Sequence, residues 1–338
     1  MARTGLLEIY EGIATPENEG MGTPLFAVQY VPKQTCYFIG KDTSGQPCLL
    51  VETKENGKHK LPPIHLESLD AQFELGCQIT DPEGQIREGV FTVVRFRSLD
   101  LETIRYFLSV CQIIMVHLGD KPSRRALATA VRRLASIFKN IHKTPIRSLN
   151  GLFGELFVIW RSQYPARAVA AWRIEDTSRF DFAMGDIRLE VKSCAGRVRA
   201  HTFAYDQCNP PPRTHAVVAS LLVERIPGGI SLGDLINSIE TQLAGVEPLA
   251  LKFHEVIAST LGADLSSAMQ VTFDARLTEN SLQFFDLREI PALRGSLPHR
   301  VTNVHFTVDL SGLAPLSQES LIKRDPHFRE LIPQLPTE

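Results

Sequence analysis

The six cysteines of this 338-residue chain (Cys36, Cys48, Cys77, Cys111, Cys194 and Cys208) form no C-x-x-C pair, and no histidine stands at metal-finger spacing from them. They therefore read as reduced, mostly buried thiols, and a structural zinc site is not expected. No apolar segment follows Met1-Ala2-Arg3-Thr4, and the longest apolar stretch, Phe107 to Leu118, falls short of the run of about 20 residues that crosses a bilayer. Secretion and membrane insertion are not expected, and a cytoplasmic location follows as an expectation. Internal repeats, coiled-coil heptads and low-complexity tails are also absent, and a net charge of only −2 argues against a polycation that coats DNA. With 43% apolar residues the chain can bury a full core, and its length predicts two domains or one domain with a large extension.

The charge that is present is unevenly placed. Between Lys121 and Arg147 stand Lys121, Arg124, Arg125, Arg132, Arg133, Lys139, Lys143 and Arg147, with no Asp or Glu among them. Such a run is either a solvated helix face or a surface for phosphates.

Residues 1–98 read as a β-rich N-terminal domain. Strands are expected at Leu25 to Tyr30, Thr35 to Ile39, Cys48 to Glu52, Gln72 to Ile79 and Val90 to Phe96. They are separated by turn signals at Asp42-Thr43-Ser44-Gly45, Glu55-Asn56-Gly57 and Asp81-Pro82-Glu83-Gly84. A basic helical connector, 99–146, follows with helices over Leu101 to Leu118 and Pro122 to His142, the second with Pro122 early in its first turn and one apolar stripe of Leu127, Val131, Leu134 and Phe138. From 147 to 262 the order is helix, several strands, a break at Asn209-Pro210-Pro211-Pro212, a strand from His215 to Glu224, then helices near Leu232 to Leu243 and Leu249 to Leu261: an α/β unit. Residues 263–338 suggest a small α+β C-terminal extension, with strand-like runs at Gln270 to Leu277, Leu282 to Leu287 and Val301 to Leu310.

The chemistry concentrates in Phe180-Asp181-Phe182-Ala183-Met184-Gly185-Asp186-Ile187-Arg188-Leu189-Glu190-Val191-Lys192-Ser193. On a strand, Ile187, Leu189 and Val191 face one way and Arg188, Glu190 and Lys192 the other. If Gly185-Asp186 is a hairpin turn, Asp181 is carried back alongside Glu190 and Lys192. Phosphodiester hydrolysis needs a cation on the phosphoryl oxygens, a deprotonated water and relief for the leaving oxygen. Asp181 and Glu190 suit Mg²⁺, with the Val191 carbonyl as a further oxygen ligand and Mn²⁺ able to substitute. Lys192 would orient the attacking water and hold developing charge. Upstream, Gly151-Leu152-Phe153-Gly154-Glu155-Leu156-Phe157-Val158-Ile159-Trp160 is an apolar helical segment with one acid, which is costly unless paired or metal-bound. Glu155 is expected at the same metal centre, directly or through water.

A helix bearing Glu, a strand with Asp and E-x-K on the next strand resembles the PD-(D/E)XK nuclease superfamily, which includes restriction endonucleases. G-L-F-G-E-L-F, F-D-F and L-E-V-K-S together resemble a bacterial subfamily encoded in phage-defence gene clusters. The motifs cover about residues 149 to 226, and Phe180 stands where the motif name has Pro. The resemblance implies a restriction-endonuclease-like core, a mixed central sheet flanked by helices, with Asp181, Glu190 and Lys192 catalytic and Glu155 the helix-borne acid. It implies a Mg²⁺-dependent DNA endonuclease of an anti-phage or restriction system, with a helicase or other ATPase as partner and a homodimer as one way to cut both strands. His201 and Gln207 follow the E-x-K strand where related nucleases place supporting polar residues, and Arg188 shares the charged face. Arg197, Arg199 and Arg213 add positive charge nearby. The alternatives are a non-catalytic DNA-binding or scaffolding subunit and a nuclease acting on RNA.

Overall fold

In the first hundred residues apolar side chains recur between turns built on Asp and Gly, and in the computed structural model of the chain these runs are strands. The structure describes residues 5–17, 23–53, 61–145, 148–174 and 179–333. It is a mixed α/β protein in two units, Met1–Ile146 with Ala250–Ser266, and Arg147–Leu249 with Ser267–Glu338.

The first unit opens with the short helix α1 (Leu6–Glu11) and contains strands β1 (Leu25–Tyr30), β2 (Tyr37–Asp42), β3 (Pro47–Glu52), β4 (Ile64–His65), β5 (Leu69–Thr80) and β6 (Ile86–Phe96). They run in the order β1-β2-β3-β6-β5-β4, and β1 also pairs in parallel with β5. Five strands thereby close into a barrel, which leaves them no unpaired edge. Phe26, Phe38, Leu50, Ile79, Phe91 and Val93 pack together as its core. At two of the expected turns an Asp side chain takes up the loop amides: Asp42 accepts from the Ser44 and Gln46 N–H groups, and Asp81 from those of Glu83 and Gln85. The Glu55-Asn56-Gly57 turn lies outside the described residues.

Helix α2 (Leu101–Leu118) is capped by Asp100, whose carboxylate accepts from Thr103 N–H at 2.9 Å. By length and composition α2 could cross a membrane, since the helix tolerates Glu102 and Arg105 at its start and so exceeds the apolar run read from sequence; half of that window is buried. Helix α3 (Arg124–Lys139) starts two residues later than expected. Ser123 supplies the cap, accepting from Ala126 N–H at 3.2 Å, so Pro122 precedes the helix instead of entering its first turn.

The second unit holds α4 (Leu149–Arg161), α5 (Pro165–Ala171), β7 (Phe182–Met184), β8 (Ile187–Cys194), β9 (Ala200–Ala204), α6 (Tyr205–Cys208), β10 (His215–Leu222), β11 (Arg225–Ser231) and α7 (Leu232–Gln242). Helix α8 (Glu247–Leu261) follows, belonging from Ala250 onward to the first unit, and then β12 (Thr272–Phe273), β13 (Gln283–Asp286) and β14 (His305–Asp309). The central sheet has the order β13-β10-β8-β7, with β8 and β10 parallel and both outer pairings antiparallel. Strand β14 pairs with β9, and β11 with β12. Residues after 267 are thus built into the unit that carries the motif. The strand expected over Gln270 to Leu277 shrinks to β12, because Asp274 accepts from Leu277 N–H at 2.8 Å and starts a helix over Ala275–Ser281. The short helices α5 and α6 and strand β11 were not expected from the sequence.

Helix α4 lies on one face of this sheet. A Cβ built on Gly154 would stand 2.1 Å from Ser193 Oγ, 3.3 Å from Leu221 and 3.4 Å from Val191, so the missing side chain is what admits the helix. Ser193 Oγ is itself buried and, among the described residues, has no hydrogen-bond partner. Gly154→Ala should therefore cost about 1–3 kcal/mol through overpacking, despite the better helix propensity of Ala. Ser193→Ala alone should be neutral or stabilising, and the double variant should recover most of the loss. Urea denaturation of the three variants measures this.

Candidate active site

Turn Gly185-Asp186 joins Met184 to its cross-strand partner Ile187, and Gly185 supplies the positive φ of 52° that this two-residue connection uses. In the resulting hairpin Phe182 faces Leu189. One step further in the same register Asp181 falls opposite Glu190, and directly opposed residues of an antiparallel pair share a face. The backbone locks that placement: Val191 N–H donates to Asp181 Oδ2 at 2.9 Å. Lys192, two residues beyond Glu190, is on the same face, its Nζ 2.7 Å from Glu190 Oε1 and 5.3 Å from the centre of the Phe203 ring.

Both carboxylates are buried, Asp181 at 1% exposure and Glu190 at 4%. The sequence placed Glu190 on a charged strand face, and that face is covered: Phe180, Phe203, Cys208 and Val218 form a core cluster, and Val218 stands opposite Glu190 on β10. The Cys208 thiol lies near enough to feel both Lys192 and Glu190, and burial pushes it up to about 11. Two buried acids beside one ammonium are a costly arrangement in a desolvated place and a suitable one for a cation.

Glu155 is held by groups outside the hairpin. Helix α4 packs on the face that carries Val191, Ser193 and Leu221, opposite the face of Glu190 and Lys192. Its carboxylate accepts from Trp172 Nε1 at 2.6 Å and from Arg173 Nη2 at 2.8 Å. Among the described residues no three His, Cys, Asp or Glu side chains gather in a group that could hold a metal ion. Glu155 is nevertheless linked to the site through the chain. Arg173, with a left-handed φ of 41°, donates its backbone N–H to the Asp181 carbonyl at 2.8 Å, and Trp172 forms a β-bridge with Phe182. The ion pair therefore holds the segment that aligns Asp181.

The supporting residues divide. His201 is buried, with Nε2 2.7 Å from Ser220 Oγ, and Ser220 stands opposite Lys192 on β10. Arg199 donates Nη1 to Ser220 Oγ at 2.8 Å and to its carbonyl at 2.9 Å, and Nη2 to the Ser281 carbonyl. It is an internal brace, where the sequence suggested charge for a phosphate backbone. Gln207 braces the backbone too, donating to the Arg179 carbonyl and accepting from Ala204 N–H. Arg188 turns away from the pair, bonding the carbonyls of Gly185 and Ile187. Trp172, Arg173 and Ser220 were missed as parts of the site; only the lone acid in an apolar helix hinted that a buried partner for Glu155 existed.

The chain matches, over residues 6–311, the family model described as "Putative PD-(D/E)XK family member, (DUF4420)", and it belongs to that family. The class so defined is that of PD-(D/E)XK proteins, nuclease-type folds that typically use divalent metals. No curated protein and no solved structure gives a significant match to the chain.

Two outcomes follow from the buried groups. Glu155→Ala breaks the ion pair with the largely buried Arg173 guanidinium and should destabilise the protein by roughly 3–5 kcal/mol in chemical denaturation, with Glu155→Gln costing less. His201 is pushed down from 6.5 to about 4, first by burial and then by Lys192 and Arg199, against the pull of Asp309. The unfolded chain thus binds more protons than the folded one between those values, so stability falls as pH drops from about 6.5 toward 4. Between pH 7 and pH 4.5 the loss at this site should be on the order of 2–3 kcal/mol, and denaturation of His201→Gln should show a correspondingly flatter pH dependence.

Proposed function

We propose that the chain is a Mg²⁺-dependent endonuclease of DNA, acting in the cytoplasm within a bacterial restriction or anti-phage system. The observation that carries this reading is the hydrogen bond from Val191 N–H to Asp181 Oδ2, which brings Asp181 beside the strand on which Glu190 and Lys192 pair at 2.7 Å. Two hard carboxylate oxygen sets on neighbouring strands fit a Mg²⁺ ion that keeps several waters. Asp181 and Glu190 would hold the ion, with the Val191 carbonyl as a further donor. When bound, such an ion neutralises charge on the phosphoryl oxygens and makes water easier to deprotonate.

The remaining work falls to the protein's own groups. Lys192, relieved of Glu190, orients the attacking water and holds the charge that develops on the phosphate. Glu155 acts at one remove, by fixing Trp172 and Arg173 and through them the strand end that carries Asp181. His201 and Ser220 form a neutral polar neighbour to Lys192, and Arg199 keeps that pair in place. A restriction-endonuclease-like core is part of the proposal, and the mixed sheet with α4 on one face is consistent with it. A helicase or other ATPase is the proposed partner, and dimerisation the proposed route to cutting both strands.

Incubating supercoiled plasmid with wild type, Asp181→Ala, Glu190→Ala and Lys192→Ala in Mg²⁺ or Mn²⁺ tests the reading. Wild type should nick or linearise DNA, and each variant should lose at least about 10²-fold in rate while still binding the substrate. Equal cutting by wild type and Lys192→Ala would defeat the mechanism. Binding without cutting by all four proteins, with an ATPase partner supplied, would favour the non-catalytic DNA-binding subunit.

A further inference from the structure

The first unit contains a cavity of about 540 Å³ that the proposed nuclease chemistry does not use. Its lining includes Phe73, Glu74 and Thr92 from the barrel, Lys121 from the loop after α2, and Arg124 from the start of α3. The barrel is irregular at this spot. In the β5–β6 ladder Gln72 faces Val93 and Leu75 faces Phe91, so Phe73 and Glu74 oppose Thr92 alone. This is a bulge, a device that re-aims side chains beside sites. Glu74 adopts a left-handed φ of 50° and is clamped by Arg124, Nε to Oε1 at 2.5 Å and Nη2 to Oε2 at 3.0 Å. Lys121 also has a left-handed φ, 59°. Non-glycine residues rarely adopt this conformation, and it marks functional places when the surroundings enforce it.

Alongside the cavity, and sharing Leu61 and Arg124 with it, runs a groove of about 240 Å³ lined by Arg125, Ala128 and Arg132. Four arginines of α3 come from the basic run in the sequence, and they differ in their partners. Arg124 pairs with Glu74 and Arg133 with Glu255. Arg125 and Arg132 are exposed and, among the described residues, have no acidic partner.

We infer that this cavity and groove bind an unpaired nucleotide within a nucleic-acid strand, the base entering against Phe73 and the flanking phosphates lying on Arg125 and Arg132. A cavity of this size suits a ligand as large as a nucleotide. An aromatic ring offers the stacking platform that any base accepts. Two free guanidiniums outside supply the electrostatic track for a backbone. The inference takes its ligand class from the nuclease reading, but it concerns binding in another unit and is measurable without cleavage.

The test is fluorescence anisotropy of the full chain with a labelled single strand of about 12 nucleotides, as DNA and as RNA, in EDTA so that no hydrolysis intervenes. The same strand fully paired, and a free mononucleotide, serve as comparisons. Phe73→Leu keeps the apolar bulk and removes the ring; it should weaken single-strand binding by about tenfold at unchanged melting temperature, while Phe73→Trp restores it. Binding of the paired duplex should not change. Replacing Arg125 and Arg132 by Gln should reduce the salt dependence of single-strand binding by roughly one to two ions released. The inference is overturned if wild type binds neither single strand, if Phe73→Leu binds within about twofold of wild type, if duplex binding falls equally, or if the mononucleotide binds as tightly as the strand. A protein that binds single strands in this way but cuts no plasmid would sink the nuclease reading and leave this one standing.

Discussion

A hydrogen-bonded pair of strands only three residues deep sets the geometry on which the proposed chemistry depends. With Phe182 opposite Leu189, and the turn held to two residues by Gly185, the alternation of a pleated strand fixes the rest. Asp181 meets Glu190, Lys192 follows on the same side, and a slip of one residue would send these side chains to opposite faces. The bond from Val191 N–H to Asp181 Oδ2 secures the register where the ladder ends, and the Glu155–Arg173 pair secures it from behind. Parallel pairing of β8 with β10 then brings Val218 and Ser220 beside the acidic pair and the lysine, which sets both the burial of Glu190 and the hydrogen bond between Ser220 and His201.

The same hairpin shows what strand periodicity can and cannot reveal. That Asp181, Glu190 and Lys192 converge was legible because it depends on nearest-neighbour pairing across a short turn whose residues are in view. That Glu155 accepts from Trp172 and Arg173 was not. An acid in an apolar helix announces that it needs a partner, but not whether the partner is a metal or an indole and a guanidinium. The choice was made by Gly154, which seats α4 against Val191, Ser193 and Leu221. Likewise the arginines near the site were counted as free charge, and Arg199 turned inward only because Ser220 and Ser281 offer it oxygens from distant parts of the chain.

Long, strongly periodic elements were read well: β1 and α2 have the expected bounds, and the turns at Asp42 and Asp81 follow from side chains that bond their own loops. Short elements fixed by tertiary contact were not, as at Gln270 to Leu277, where a capping Asp274 competes with strand-like composition and prevails. Closure of the first unit's barrel through β1 and β5 is a contact between segments some fifty residues apart in sequence. No local pattern encodes it. The bulge at Phe73 and Glu74 was hidden for the same reason, since an extra residue in one strand is visible only against its partner.

One ion shared by two carboxylates is the centre of this account, and its most direct measurement is Mn²⁺ binding followed by electron paramagnetic resonance on wild type, Asp181→Asn and Glu190→Gln. The account predicts that wild type takes up the ion and that either amide substitution, which preserves shape while removing a charge, abolishes uptake at the same site. Unchanged binding in both variants would contradict it.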